Sequence, residues 1–126
     1  MRETATEPVK TNVTWDDLDD LVAELAERLR AAPKPDVVLA ISRGGLVPAG
    51  MLGYRMGWRD MLLAAVVDYY DETGFRGKAD FLQFPSDDQF EGKTVLVIDE
   101  VWDSGTTIAA VSKRIRDAGG TPVTAV

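Results

Sequence analysis

Cysteine and histidine are both absent from this chain of 126 residues. Without cysteine there is no disulfide framework, no thiolate nucleophile and no Cys-based zinc site. Without histidine there is no Ser-His-Asp triad and no imidazole acid or base. Chemistry is left to carboxylates, hydroxyls, Lys, Arg, backbone amides and a hard cation such as magnesium. Positive charge is also scarce, 14 Lys and Arg against 21 Asp and Glu, for a net charge of −7. That balance argues against bulk nucleic-acid binding but permits a local phosphate site built from amides and a few Arg. No apolar run is long enough to cross a membrane. The start MRETATEPVK has no hydrophobic targeting segment, so the expected address is the cytoplasm.

What is present is one domain's worth of soluble sequence, with 45% hydrophobic and 28% charged residues. A chain of this size buries roughly two-thirds of its unfolded surface, enough for a true core. Residues 1–12 read as a flexible polar lead and 13–126 as the core domain. Thr14 before Trp15-Asp16-Asp17 marks a helix start, and Leu18, Leu21, Val22, Leu25 and Leu29 predict an amphipathic helix over 15–31. Pro33 and Pro35 stop it. Val37 to Ile41 reads as a buried strand and 46–56 as a helix with Pro48 in its first turn. In that helix Met51, Leu52 and Met56 read as core. Met61 to Val67 and Val95 to Ile98 are further strands. Between them, 68–92 is acidic and broken by Gly74, Gly77, Pro85 and Gly92, and reads as a long loop with room for a short hairpin. Ile108, Val111 and Ile115 share a helix face closed by Gly119-Gly120, and a last strand starts at Val123. Alternating strands and helices predict an α/β fold, a doubly wound parallel sheet flanked by helices.

Two strand-to-helix junctions carry the chemistry. The first is VLVIDEVWDSGTTI, Val95 to Ile108. An apolar strand ends in Asp99-Glu100, then Asp103 precedes Ser104-Gly105-Thr106-Thr107 at a helix start. Open α/β sheets bind ligands at the carboxyl ends of their strands. Free amides, a positive dipole end and hydroxyls make the Ser-Gly-Thr-Thr turn a phosphate cradle. Asp99 and Glu100 would repel phosphate but suit sugar hydroxyls or magnesium. Together they fit a phosphorylated ribose. The plainer alternative has Asp103 capping a helix and the paired acids simply solvated. Neither a Walker A sequence nor G-x-G-x-x-G is present.

The second junction is Ile41-Ser42-Arg43-Gly44-Gly45-Leu46-Val47-Pro48. Arg43 offers a fork of donors, and Gly44 and Gly45 permit unusual backbone angles and exposed amides. This predicts a second anion site suited to a diphosphate; the alternative is an ordinary turn with a surface Arg.

The two strings together resemble the type I phosphoribosyltransferases. VLVIDEVWDSGTTI is similar to their phosphoribosyl diphosphate (PRPP) motif, and ISRGGLVPAG to the diphosphate loop of the bacterial xanthine-guanine enzymes. Val13-Thr14-Trp15-Asp16 and Tyr70-Asp71 also resemble that subfamily. The resemblance implies a magnesium-dependent enzyme of nucleotide salvage, transferring the phosphoribosyl group of PRPP to a 6-oxopurine with release of diphosphate. Asp99 and Glu100 would hold the ribose hydroxyls, with Glu100 the metal contact. Asp103 would be catalytic, facing the purine ring nitrogen. Ser104, Gly105, Thr106 and Thr107 would bind the 5′-phosphate. Ser42, Arg43, Gly44 and Gly45 would hold the diphosphate, with a non-proline cis peptide at Ser42-Arg43. Arg76, six residues after Tyr70, matches a diphosphate-contacting loop Arg. A homodimer or tetramer follows by the same resemblance, with Arg55, Trp58 and Arg59 either subunit contacts or ordinary surface.

Departures are specific. Glu100 replaces a commoner Asp, Ser104 a commoner Thr, and Trp102 a commoner aliphatic residue. The Lys and aromatic hood that would recognise the purine lie beyond the strand at 122–126, so the chain reads as truncated at its C-terminus. The rival reading is a non-catalytic PRPP- or nucleotide-binding or regulatory module of the same family likeness. A third is a doubly wound domain for another phosphorylated small molecule.

Overall fold

The computed structural model describes residues 12–69, 79–99 and 106–125. Helix α1, Trp15–Arg30, starts at a capping box. The Thr14 hydroxyl accepts from the Asp17 N–H at 3.1 Å, and the Asp17 carboxylate accepts from the Thr14 N–H at 3.0 Å. Two of the four orphan amides of the first turn are thereby satisfied reciprocally. Strand β1, Val37–Ser42, leads into α2, Leu46–Met56, which ends at Gly57 in the left-handed region, φ +71°. Strand β2, Leu62–Tyr69, pairs antiparallel with β3, Ala79–Gln83. A short 3-10 turn, Asp87–Gln89, precedes β4, Thr94–Ile98. Helix α3, Thr106–Asp117, and β5, Thr121–Ala125, complete the described chain.

The five strands form one sheet in the order β3-β2-β1-β4-β5. β1 runs parallel to both β2 and β4, and β4 parallel to β5. Val38 lies beside Leu96 and Leu39 beside Val97, so side chains alternate between two cores. One core holds Leu39, Ile41, Val95 and Val97 against Phe90 and the Ile108, Val111 and Ile115 stripe of α3. The other holds Val38, Ala40, Leu96 and Ile98 against Val22 and Ala26 of α1 and Ala49 and Leu52 of α2. Strands buried on both faces read as continuous apolar runs, which is why 37–41 and 95–98 stood out. Met51 and Met56 are partly buried against the second core, as expected.

The expected doubly wound parallel sheet is present, with one antiparallel strand at its edge. The segment read as a long loop contributes β3, which is antiparallel, and β2 runs on to Tyr69. Strand β3, Ala79–Gln83, is ADFLQ, with exposed Asp80 and Leu82, the latter 62% exposed, flanking the half-buried Phe81. A single half-buried residue among Asp80 to Gln83 is too weak a period-2 signal to separate a strand from a loop. Phe81, Phe84 and Phe90 stack in sequence, with ring centroids 5.1 and 5.5 Å apart, and Arg114 of α3 lies over Phe84. These contacts fasten the edge strand to the body of the domain.

Trp58 is a core residue, 8% exposed, rather than a surface one. Arg55 is committed to α1, donating to Asp19 at 2.7 Å, while its carbonyl accepts from Arg30 at 3.3 Å. Arg59 is exposed.

Candidate functional site

The crossover from β1 to β2 runs through α2 on one face of the sheet, and that from β4 to β5 through α3 on the other. Between β1 and β4 the winding therefore reverses. At such a point the two outgoing turns splay apart and leave a crevice at the strand carboxyl ends. Ser42 to Gly45 leave β1 at this edge, and Asp99 leaves β4 beside them. Turns on opposite edges could not share one small ligand; the turn after β1 adjoins the end of β4.

The first turn is tightly built. The Ser42-Arg43 peptide is cis. Gly45 N–H donates to the Ile41 carbonyl at 2.9 Å, and Leu46 N–H to the Arg43 carbonyl at 3.1 Å. Gly45 caps α2 at φ −65°, an angle open to any residue. Its expected role as a residue of unusual backbone angle is therefore corrected. The requirement is space: a Cβ there would lie 2.5 Å from the Ile98 carbonyl oxygen and 2.6 Å from that of Ile41. Glycine lets the β1 turn press against the end of β4. Arg43 is exposed and forms no ion pair with any described residue. Its guanidinium is available to an anion.

At the second junction, Asp99 is half-buried and its N–H donates to the Ala125 carbonyl at 3.2 Å, extending the β4–β5 ladder to the crevice. Helix α3 begins at Thr106, and Thr107 is half-buried in its first turn. The N-terminal amides of a helix of this length offer an anion the donors that its own backbone leaves unpaired. Glu100, Trp102, Asp103, Ser104 and Gly105 lie outside the described residues, as do Tyr70, Asp71 and Arg76. The structure thus gathers Ser42, Arg43, Gly44, Gly45, Asp99, Thr106 and Thr107 at one edge of the sheet.

A cleft of about 610 Å³ opens from this edge along α1. Gly44, Val47, Pro48, Ile98, Asp99 and Ala125 line one side, and Trp15, Leu18 and Leu25 the other. Sequence reasoning placed Trp15 at a helix start and missed that α1 walls the site. The available signal was an indole on the first turn ahead of an already complete apolar stripe. As a test for magnesium, the donor chemistry fits: Asp99 places a hard carboxylate at the end of β4, next to Glu100 in sequence, and magnesium takes one or two carboxylates with the rest from substrate phosphates and water. Among the described residues no three acidic side chains cluster to form a self-contained cage. No helix among them is long and apolar enough to cross a membrane.

Comparison with known proteins agrees with this geometry. Residues 14–126 match the family model described as a phosphoribosyl transferase domain. A purine phosphoribosyltransferase structure from Pyrococcus horikoshii is 32% identical, with a TM-score of 0.76 over 89% of this chain and 73% of that one. A hypothetical protein from Neisseria gonorrhoeae, solved with bound ppGpp, is 31% identical, with a TM-score of 0.74 over 88% of this chain and 66% of that one. The xanthine-guanine-hypoxanthine phosphoribosyltransferase of Helicobacter pylori, 20% identical with a TM-score of 0.75 over 88% of this chain and 72% of that one, shares the fold. This chain is therefore shorter than each of the three and spans roughly two-thirds to three-quarters of their length. A strand-end crevice between β1 and β4, in a chain matched by the family model over residues 14–126, makes this a member of the phosphoribosyltransferase family.

Proposed function

We propose that the chain carries the PRPP-binding part of a purine phosphoribosyltransferase acting on a 6-oxopurine in nucleotide salvage. The observation that supports the proposal is the close seating of Gly45, in the turn after β1, against Ile98 at the end of β4. A ligand with a phosphate at one end and a diphosphate at the other would span them. Ser42, Arg43, Gly44 and Gly45 hold the diphosphate, with Arg76 as a further contact. Ser104, Gly105, Thr106 and Thr107 hold the 5′-phosphate, and Asp99 and Glu100 the ribose hydroxyls. Magnesium would be held by Glu100 together with ligand oxygens, and would supply charge neutralisation there.

In the transfer, the bond from the ribose anomeric carbon to diphosphate breaks and a bond to a purine ring nitrogen forms. The carbon gains oxocarbenium character between the two events. Arg43 offsets the charge that accumulates on the departing diphosphate. Asp103 faces the purine nitrogen and takes the proton displaced as the new bond forms. Most of the rate enhancement comes from holding the two reactants in line.

The test is diphosphate release from PRPP and magnesium with guanine, hypoxanthine or xanthine added singly. Base-dependent release supports the proposal. A second reading, a nucleotide-binding module without catalysis, is favoured by the ppGpp-bound relative. Calorimetric binding of PRPP or ppGpp with no base-dependent release would select it. Absence of any binding would return the chain to a carrier of some other phosphorylated small molecule.

A further inference from the structure

Helix α2 differs from the other two helices in composition. α1 and α3 are rich in charged residues, whereas α2, LVPAGMLGYRM, has a single one, Arg55. That one is already paired with Asp19 of α1 at 2.7 Å. Yet α2 lies on the surface. Ala49, Leu52 and Gly53 are buried, while Leu46 and Tyr54 face outward, 44% and 94% exposed. A surface helix normally turns a polar face to water, and one that stays apolar on its outer side is normally covered.

Gly50 stands between Leu46 and Tyr54, four residues from each, so the three form one stripe. Glycine inside a helix is less stable than alanine. Nothing within the copy calls for it here. A Cβ on Gly50 would meet no described atom within 4 Å, whereas one on Gly53 would lie 3.7 Å from the Trp58 carbonyl oxygen and 3.9 Å from the Leu62 side chain. Gly50 is therefore an open notch between two large apolar side chains. The stripe is also symmetric about that notch. A second α2 crossing antiparallel at Gly50 sets Tyr54 of each copy against Leu46 of the other, the isologous relation of a two-fold interface. The crossing brings the positive end of each helix dipole beside the negative end of the other, and the stripe has no charge to bury. Covering both Tyr54 rings takes about 300–500 Å², roughly a quarter of a standard interface, before Leu46 and its neighbours are added. A lipid surface fits less well, because α2 has no basic rim and the chain has a net charge of −7.

We propose that two copies of this chain associate through antiparallel α2 helices, with Tyr54 of each seated over Gly50 and Leu46 of the other. The association does not depend on the function proposed above.

Equilibrium sedimentation of the full chain tests this. The wild type should be a dimer at micromolar concentrations. Tyr54→Ala should raise the dimer dissociation constant about thirtyfold or more, as loss of a central aromatic anchor does, and Tyr54→Phe should leave it near wild type. Gly50→Ala gives two readings of opposite sign. Added to Tyr54→Ala, where the chain is monomeric, it should raise the urea midpoint, because alanine is the better helix former and its methyl meets open space. In the otherwise wild-type chain it should weaken the dimer about tenfold, because the same methyl fills the notch. A fall in the first reading, or no change in the second, would overturn the assignment of Gly50. A wild type that stays monomeric overturns the proposal outright. So does a dimer that survives Tyr54→Ala but is dissociated by Trp15→Ala or Leu82→Ala, which would put the contact at the α1 cleft or the β3 edge. Tyr54-dependent sedimentation of a monomeric chain with phosphatidylcholine vesicles would make the face a lipid contact and likewise overturn it. None of these readings uses PRPP or a base, so their failure leaves the proposed function standing.

Discussion

Gly45 and Ile98 are joined by a contact that only hydrogen can fit: a Cβ on Gly45 would stand 2.5 Å from the Ile98 carbonyl oxygen. One residue belongs to the turn after β1 and the other ends β4. Their closeness seats the turn after β1 directly against the end of β4.

Gly45→Ala should therefore damage both stability and binding. The obstructing atoms are backbone carbonyls, which cannot swing aside as a side chain could. The expected loss is about 2 kcal/mol, in the range for overpacked interiors. Urea unfolding reads the stability, and PRPP titration should show weaker binding at temperatures where the variant is folded. An unchanged midpoint would mean that the turn and β4 are less closely seated than described.

Arg43→Ala should separate binding from folding. The side chain is exposed and unpaired with any described residue, so its removal leaves the unfolding midpoint near that of wild type. A charge-assisted contact to diphosphate is worth about 2 kcal/mol, or roughly thirtyfold in Kd. Calorimetry with PRPP and with ribose 5-phosphate distinguishes the roles, because the second ligand lacks the diphosphate. Comparable loss for both ligands would contradict the assignment of Arg43.

Asp103→Asn keeps the shape of the side chain and removes its capacity to take a proton. If the proposed transfer is correct, PRPP binding persists while base-dependent diphosphate release falls by about a hundredfold or more. Equal turnover by the variant would place the proton elsewhere.

The helix start gives a prediction in pH. Hydrogen bonding from the Thr14 backbone N–H, then from the Thr14 side chain, holds the Asp17 carboxyl below its ordinary value of 3.8. A carboxylate with a depressed folded pKa contributes stability above the unfolded value, and the contribution disappears as pH falls through the folded one. Asp17→Asn should therefore differ from wild type at neutral pH and converge on it in acid. Urea midpoints between pH 7 and pH 2 measure this; parallel curves would exclude it. Thr14→Ala, which removes the other half of the box, should cost about 1 kcal/mol at neutral pH.

Local signals in the sequence determined most of the elements. The run Val95 to Ile98 announced β4 because a strand covered on both faces is apolar at every position. Thr14 and Asp17 announced the start of α1, and the start of α2 followed from Gly44-Gly45 and Pro48. The two candidate turns were legible as strand-to-helix junctions, since apolar runs ended at Ile41 and Ile98 and helical spacing resumed beyond them.

Relations between distant segments were decided only by tertiary structure. That β3 joins the sheet depends on β2 offering it a ladder and on Phe90 and Arg114 receiving its aromatic neighbours, none of which is local to ADFLQ. That Gly45 serves space rather than backbone angle depends on Ile98, more than fifty residues away in the chain. That Trp58 is interior while Trp15 opens on a cleft depends on how α1 and α2 lie across the strand ends. Sequence records what each segment prefers through its own backbone and side chains. Which surfaces meet is set by the packing of several segments at once, and no single window of residues contains that sum.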